Sequence, residues 1–198
     1  MEKMPPVEMI DNDEKEEKAF HDYMKDFSLN EEDLRKPLLD VGAGSGNFIK
    51  YVRNKFGNSN AYGVEKEKFR LGDDSDGMVV ADGFDLPFAD NTFEIVVSRN
   101  FLPMFTDDIG ESRAIINELI RVTKAGGKII GNISTPKIEI EESKEEIYNG
   151  SSSFDKFFKE RHDGAVKIQS FLEELKNDGY VVDQKEYDHK AIVTIHKP

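Results

Sequence analysis

A chain of 198 residues is long enough for one domain with small additions, and 37% hydrophobic residues are enough to build its core. A net charge of −13 argues against a nucleic-acid backbone or an anionic membrane surface as the main partner, since both require a positive footprint. The absence of cysteine removes disulfides, thiolate metal sites and a Cys nucleophile, and it fits a reducing cytoplasm.

Residues 1–12 read as a loose leader with no basic segment followed by an apolar run, so no signal peptide is expected. No apolar run approaches the ~20 residues that span a bilayer. Asp13 to Phe27 is predicted as a helix, because Phe20, Tyr23, Met24 and Phe27 repeat at i, i+3, i+4, i+7. That stripe either docks the helix onto the domain or covers a bound ligand. Residues 1–36 together are expected to form an N-terminal helical cap.

After the polar connection Ser28 to Lys36, Leu38-Leu39-Asp40-Val41 reads as a short buried strand. Gly42-Ala43-Gly44-Ser45-Gly46 then turns the chain, and a helix starts at Asn47. Glycines without Cβ let backbone approach a ligand closely, and a strand–glycine-loop–helix unit is how open α/β sheets hold nucleotides. The spacing is G-x-G-x-G, with Asn47 where the dinucleotide fingerprint has its third Gly. Strand 2 is predicted at Ala61 to Val64, ending in Glu65. The stretch Lys66 to Gly77 carries turn chemistry, so a second helix is expected to be one turn or absent. Strand 3 is Met78 to Ala81, ending at Asp82-Gly83-Phe84. Strand 4 is Phe93 to Ser98, and a long helix runs from Ile109 to Thr123, stopped by Ala125-Gly126-Gly127. Strand 5 is Lys128 to Ile133. Residues 134–168 are the least regular part, with a short amphipathic helix expected around Phe154, Phe157 and Phe158. Ser170 and Glu173 read as the capping box of a helix reaching Gly179. Tyr180 to Tyr187 and Ala191 to His196 form a hairpin.

The glycine loop with Asp40 two residues ahead of it resembles motif I of the class I S-adenosylmethionine-dependent methyltransferases. Ala81 to Phe88 with Phe93 to Val96, and Glu118 to Gly127, are similar to later motifs of the small-molecule "type 11" branch, which includes quinone-biosynthesis enzymes. The resemblance covers residues 37–198. It implies an α/β, Rossmann-like fold: a seven-stranded, mostly parallel sheet with an antiparallel C-terminal hairpin strand, helices on both faces, and a lid-like insertion at about 134–168.

It also implies S-adenosyl-L-methionine as cofactor. Gly42, Ala43, Gly44 and Gly46 would then face its amino-acid half. Glu65 would accept the ribose hydroxyls, and Asp82 the adenine amino group, with Gly83 and Phe84 beside the ring. Asp40 either binds the ammonium group or ties down the loop. Ser98, Arg99 and Asn100 would line the reaction cleft, Arg99 having a surface ion pair as its alternative. Tyr23 and Phe27 from the first helix and His162 from the insertion are the further candidates for contact with the acceptor.

The expected reaction is in-line methyl transfer to a small molecule. A protein acceptor, or a non-catalytic binding domain, is the alternative. No residue is required to act as a base, so no catalytic residue is assigned. His21, His162, His189 and His196 lack metal-ligand spacing. Without Cys, cytosine-C5 chemistry is excluded, and the missing Asn-Pro-Pro-aromatic motif disfavours amino-group methylation of nucleobases or glutamine.

Overall fold

The computed structural model describes residues 11–71, 76–99, 109–134, 167–187 and 190–198. Helix α1 (Asn12–Phe27) begins at Asp11, whose carboxylate accepts the Asn12 N–H at 2.6 Å, and ends on Ser28 with a left-handed φ of 51°. A 3₁₀ turn (Asp33–Arg35) leads into β1 (Leu38–Val41). Then come α2 (Asn47–Phe56), β2 (Ala61–Glu65) and a single 3₁₀ turn, Lys68–Arg70, in place of a second helix. Strands β3 (Met78–Val80) and β4 (Phe93–Ser98) follow, then α3 (Ile109–Val122) and β5 (Thr123–Ser134). Residues 167–177 form α4, before β6 (Val181–Tyr187) and β7 (Lys190–His196).

The strands join in one seven-stranded sheet, in the order β3-β2-β1-β4-β5-β7-β6. The first five are mutually parallel, and β7 runs antiparallel between β5 and β6. The strand order reverses at β1, between β2 and β4, so a ligand crevice is expected at the carboxyl end of β1.

Both faces of the parallel part are covered, as parallel sheets require. Alternation along each strand splits the core in two. Leu38, Ala61, Ile95, Val97 and Ile130 pack with Tyr23, Phe27, Phe48, Ile49 and Val52 from α1 and α2. Leu39, Val64, Val96 and Ile129 pack with Ile115 and Leu119 of α3 and Ile168 and Leu172 of α4. Helix α1 therefore shares a core with the sheet. Leu29 and Leu34 of the connection that reads as polar are buried in the same core.

Two boundaries differ from expectation by more than one residue. Ser170 lies inside α4 and is not its cap. The apolar stripe Ile168, Phe171, Leu172, Leu175 starts one turn earlier, and burial of Ile168 carries the helix with it. Strand β5 begins at Thr123, five residues before Lys128, because Thr123 already pairs with Phe93 ahead of a register shift. Of the 134–168 segment, only Ser134, Lys167 and Ile168 fall within the described residues. The helix expected around Phe154 lies outside them. Among the described residues no helix is long and apolar enough to cross a membrane.

The loop between β3 and β4 is held by Arg121 of α3. Its guanidinium donates to the carbonyls of Leu86 and Phe88, at 3.0 and 2.8 Å, and pairs with Glu118 and Asp90. Glu118 in turn accepts the Leu86 N–H at 2.7 Å. Arg121→Ala leaves two carbonyls and a half-buried carboxylate without their donor. We expect a loss of about 2–3 kcal/mol, read as a lower denaturant midpoint at unchanged slope.

Candidate functional site

The turn after β1 owes its shape to glycine. Gly42, Gly44 and Gly46 take φ of 80°, 58° and 75°, the left-handed region where a side chain is strained. The Gly42 and Ala43 N–H groups both donate to the Val64 carbonyl, at 2.9 and 3.0 Å, which ties the turn to β2. Gly44 N–H donates to Glu65 Oε2 at 3.0 Å, and Glu67 N–H to Glu65 Oε1 at 3.0 Å. Each Glu65 oxygen can still accept a second bond.

The loop also has a lateral support. A Cβ added to Gly46 would lie 2.5 Å from Met78 Sδ, and one on Gly63 would meet the same sulfur at 2.5 Å. The Met78 side chain of β3 thus fills the space that glycines in the loop and in β2 leave open.

Asp40 ends up in an unusual place. It lies in the middle of the sheet, completely buried, next to Val97 on β4 and Gly63 on β2. The Tyr23 hydroxyl of α1 donates to its Oδ2 at 2.8 Å, while Oδ1 has no partner among the described residues. Burial pushes the Asp40 carboxyl up to about 7, against the opposing pull of the Tyr23 hydrogen bond and the Arg99 charge, and the neighbouring Glu65 charge adds to the rise. The same burial, with Asp40 beside it, raises Tyr23 well above its usual range. The Gly42, Ala43 and Gly44 N–H groups of the loop donate to the Val64 carbonyl and Glu65, not to Asp40.

On the other side of the crevice, Val41, Gly42, Val64, Glu65, Lys66 and Asp82 to Phe84 line a cleft of about 330 Å³, open mouth included. Asp82 Oδ1 accepts the Phe84 N–H at 3.2 Å, so it also shapes its own turn. The Lys66 ammonium, 2.8 Å from Asp82 Oδ2, holds that carboxyl below its usual range. Phe84 is half-buried against the core.

The remaining candidates fall in different places. Ser98 is fully buried and, two residues from Val96, shares the α3 face of β4; its hydroxyl has no partner among the described residues. Arg99 pairs with Asp26 and Asp22 of α1, at 2.8 and 3.5 Å, and lies 5.5 Å over the Tyr23 ring. Tyr23 and Phe27 are only 7% and 4% exposed, so both are core as well as site. Asn100 and His162 lie outside the described residues. Among those residues no group of side chains could hold a metal ion.

The partners of Asp40 and the Met78 support were absent from the sequence expectations. The helical spacing of Tyr23 marked a buried face, but nothing local marked its hydroxyl as the donor to a residue 17 positions away.

Two outcomes test the electrostatics and the packing. In the empty protein, folded Asp40 keeps a proton that the unfolded chain releases between about pH 4 and pH 7, so stability falls as pH rises through that window, by on the order of 2–4 kcal/mol. Asp40→Asn removes this loss: its melting temperature should exceed that of the parent at pH 8 and converge on it below about pH 4. Gly63→Ala drives a Cβ into Met78 and Ala43, and overpacking of this kind costs about 1–3 kcal/mol. Adding Met78→Ala should restore part of it, as measured by a double-mutant cycle.

Comparison with known proteins agrees with this geometry. A family model described as a methyltransferase domain matches residues 39–131. A demethylmenaquinone methyltransferase of Corynebacterium urealyticum is 39% identical over 107 residues, 51% of this chain and 43% of that protein. A ubiquinone/menaquinone biosynthesis C-methyltransferase of Desulfotalea psychrophila is 27% identical over 106 residues, 50% of this chain and 42% of that one. The matches thus span less than half the length of these relatives. A solved S-adenosylmethionine-dependent methyltransferase from Archaeoglobus fulgidus shares the fold at a TM-score of 0.60 and 13% identity, covering 93% of this chain and 94% of that one. Another from Aquifex aeolicus does so at 0.53 and 15%, covering 94% and 98%. Residues 39–131 thus match a methyltransferase-domain family, and the chain shares its fold with solved S-adenosylmethionine-dependent methyltransferases.

Proposed function

We propose that this protein transfers the methyl group of S-adenosyl-L-methionine to a small-molecule acceptor. One observation carries the reading. Three carboxylates stand at the carboxyl ends of three adjacent strands, and each has acceptor capacity left for a hydrogen-bond donor. The cofactor carries donors of the matching kinds: an ammonium group, a ribose diol and an adenine amino group. Asp40 Oδ1 suits the ammonium, since a buried, unpartnered carboxylate oxygen is costly until a donor reaches it. Glu65 suits the diol with the lone pairs its backbone donors leave free. Asp82 suits the amino group, with Phe84 beside the ring.

When bound, the cofactor supplies an activated methyl group on a sulfonium. The contribution of this chain is placement. Glu65 fixes the glycine loop and the ribose subsite at once. Asp40 fixes the amino-acid end, and the floor of Val41 and Val64 excludes water below. Holding two reactants in line can supply on the order of 7–11 kcal/mol.

The acceptor site is assigned to the elements added to the scaffold, the N-terminal cap of residues 1–36 and the insertion at about 134–168. The names of the curated relatives favour a quinol ring as the first acceptor to test.

Calorimetry with S-adenosylmethionine tests the reading directly. Binding to the folded parent is expected, with Asp82→Asn and Glu65→Ala each weakening it about ten- to a hundredfold. Absence of heat at millimolar cofactor would overturn it. Methyl transfer to a demethylated quinol, followed by mass spectrometry, tests the acceptor.

A further inference from the structure

Helix α1 reaches the loop region through a buried polar contact that is fixed from three sides. The Tyr23 hydroxyl holds Asp40 Oδ2 at 2.8 Å. Its ring stacks on Phe48, with centroids 4.0 Å apart and planes 9° from parallel, and Phe48 is the second residue of the helix that follows the glycine loop. Over the ring lies Arg99, at the end of β4, paired with Asp22 and Asp26 on either side of Tyr23 along α1. The hydroxyl is therefore oriented by β1, α2 and β4, the elements that surround the loop.

The charges around Asp40 make this contact consequential. Facing it are Tyr23 from α1, Arg99 just after β4 and Glu65 from β2. The Arg99 charge is shared with two aspartates, and Glu65 repels. A buried carboxylate in this setting is under-supplied with donors. Tyr23 serves one oxygen only, and the other waits for a group that brings both an N–H and a positive charge. The amino-acid end of the cofactor proposed above carries such a group.

We infer that Tyr23 is a positioning residue for that end of the cofactor: α1 and the cofactor's ammonium group hold the two oxygens of one carboxylate, so each strengthens the binding of the other. The coupling is reciprocal by linkage, so docking of α1 favours the cofactor and the cofactor favours docking of α1.

The inference rests on the cofactor reading, and two ligands separate their failures. S-adenosylhomocysteine carries the ammonium group; 5′-methylthioadenosine has the same nucleoside without the amino-acid end. Tyr23→Phe keeps the ring stack and removes the hydroxyl. Calorimetry should show S-adenosylhomocysteine binding weakened about tenfold and methylthioadenosine binding changed less than twofold. Equal weakening of both ligands, or of neither, overturns the inference and reduces Tyr23 to packing. If the parent binds neither ligand while folded, the cofactor reading itself fails.

Should Tyr23→Phe not fold, hydrogen exchange on the parent decides. S-adenosylhomocysteine should slow exchange across residues 20–27 at least threefold more than methylthioadenosine does. Equal protection by the two ligands overturns the coupling.

Discussion

The bond from the Gly44 N–H to Glu65 holds the crevice in shape. A glycine turn with three left-handed residues has no side chains of its own to stiffen it, so its geometry must come from neighbours. The Val64 carbonyl takes two of its N–H groups and Glu65 takes a third, all from the end of β2. The loop is thus an extension of the β1–β2 pairing, and the parallel register at Val41 and Val64 sets where it sits. Met78 braces it from the side, one strand further out.

Around that loop the protein treats three carboxylates in three ways. Glu65 is satisfied by backbone, Asp82 by a lysine at the surface, and Asp40 by one tyrosine hydroxyl in the interior. The cost of each follows from its dielectric surroundings. Asp82 is charged at little expense. Asp40 carries the burden: burial raises its carboxyl, and one of its oxygens has no partner among the described residues.

Much of this was legible in the sequence, for local reasons. The strand ends were visible because apolar runs stop at Asp82, Glu65 and the glycines. The alternation of β and α segments was visible, the resemblance implied the seven-stranded sheet, and the missing second helix showed in the turn residues after Lys66. What stayed hidden depends on contacts between distant parts of the chain. The stripe of Phe20, Tyr23 and Phe27 announced a buried face without saying which strand it would meet. Ser170 looked like a cap because its neighbours fit the pattern, yet burial of Ile168 outweighed that local preference. Gly63 reads as an ordinary strand residue until the methionine from the next strand is placed beside it.

Met78 has a consequence for substitution. The sulfur that fills the space beside Gly46 also fills the space beside Gly63, so positions 46, 63 and 78 share one volume. A smaller residue at 78 would relieve position 63 and leave only the Ala43 Cβ, at 3.0 Å, against an added methyl group, whereas a side chain at position 46 stays strained by its backbone angle regardless of room. The room for a side chain at position 63 is therefore set from the edge strand, and that at position 46 by the loop's own backbone.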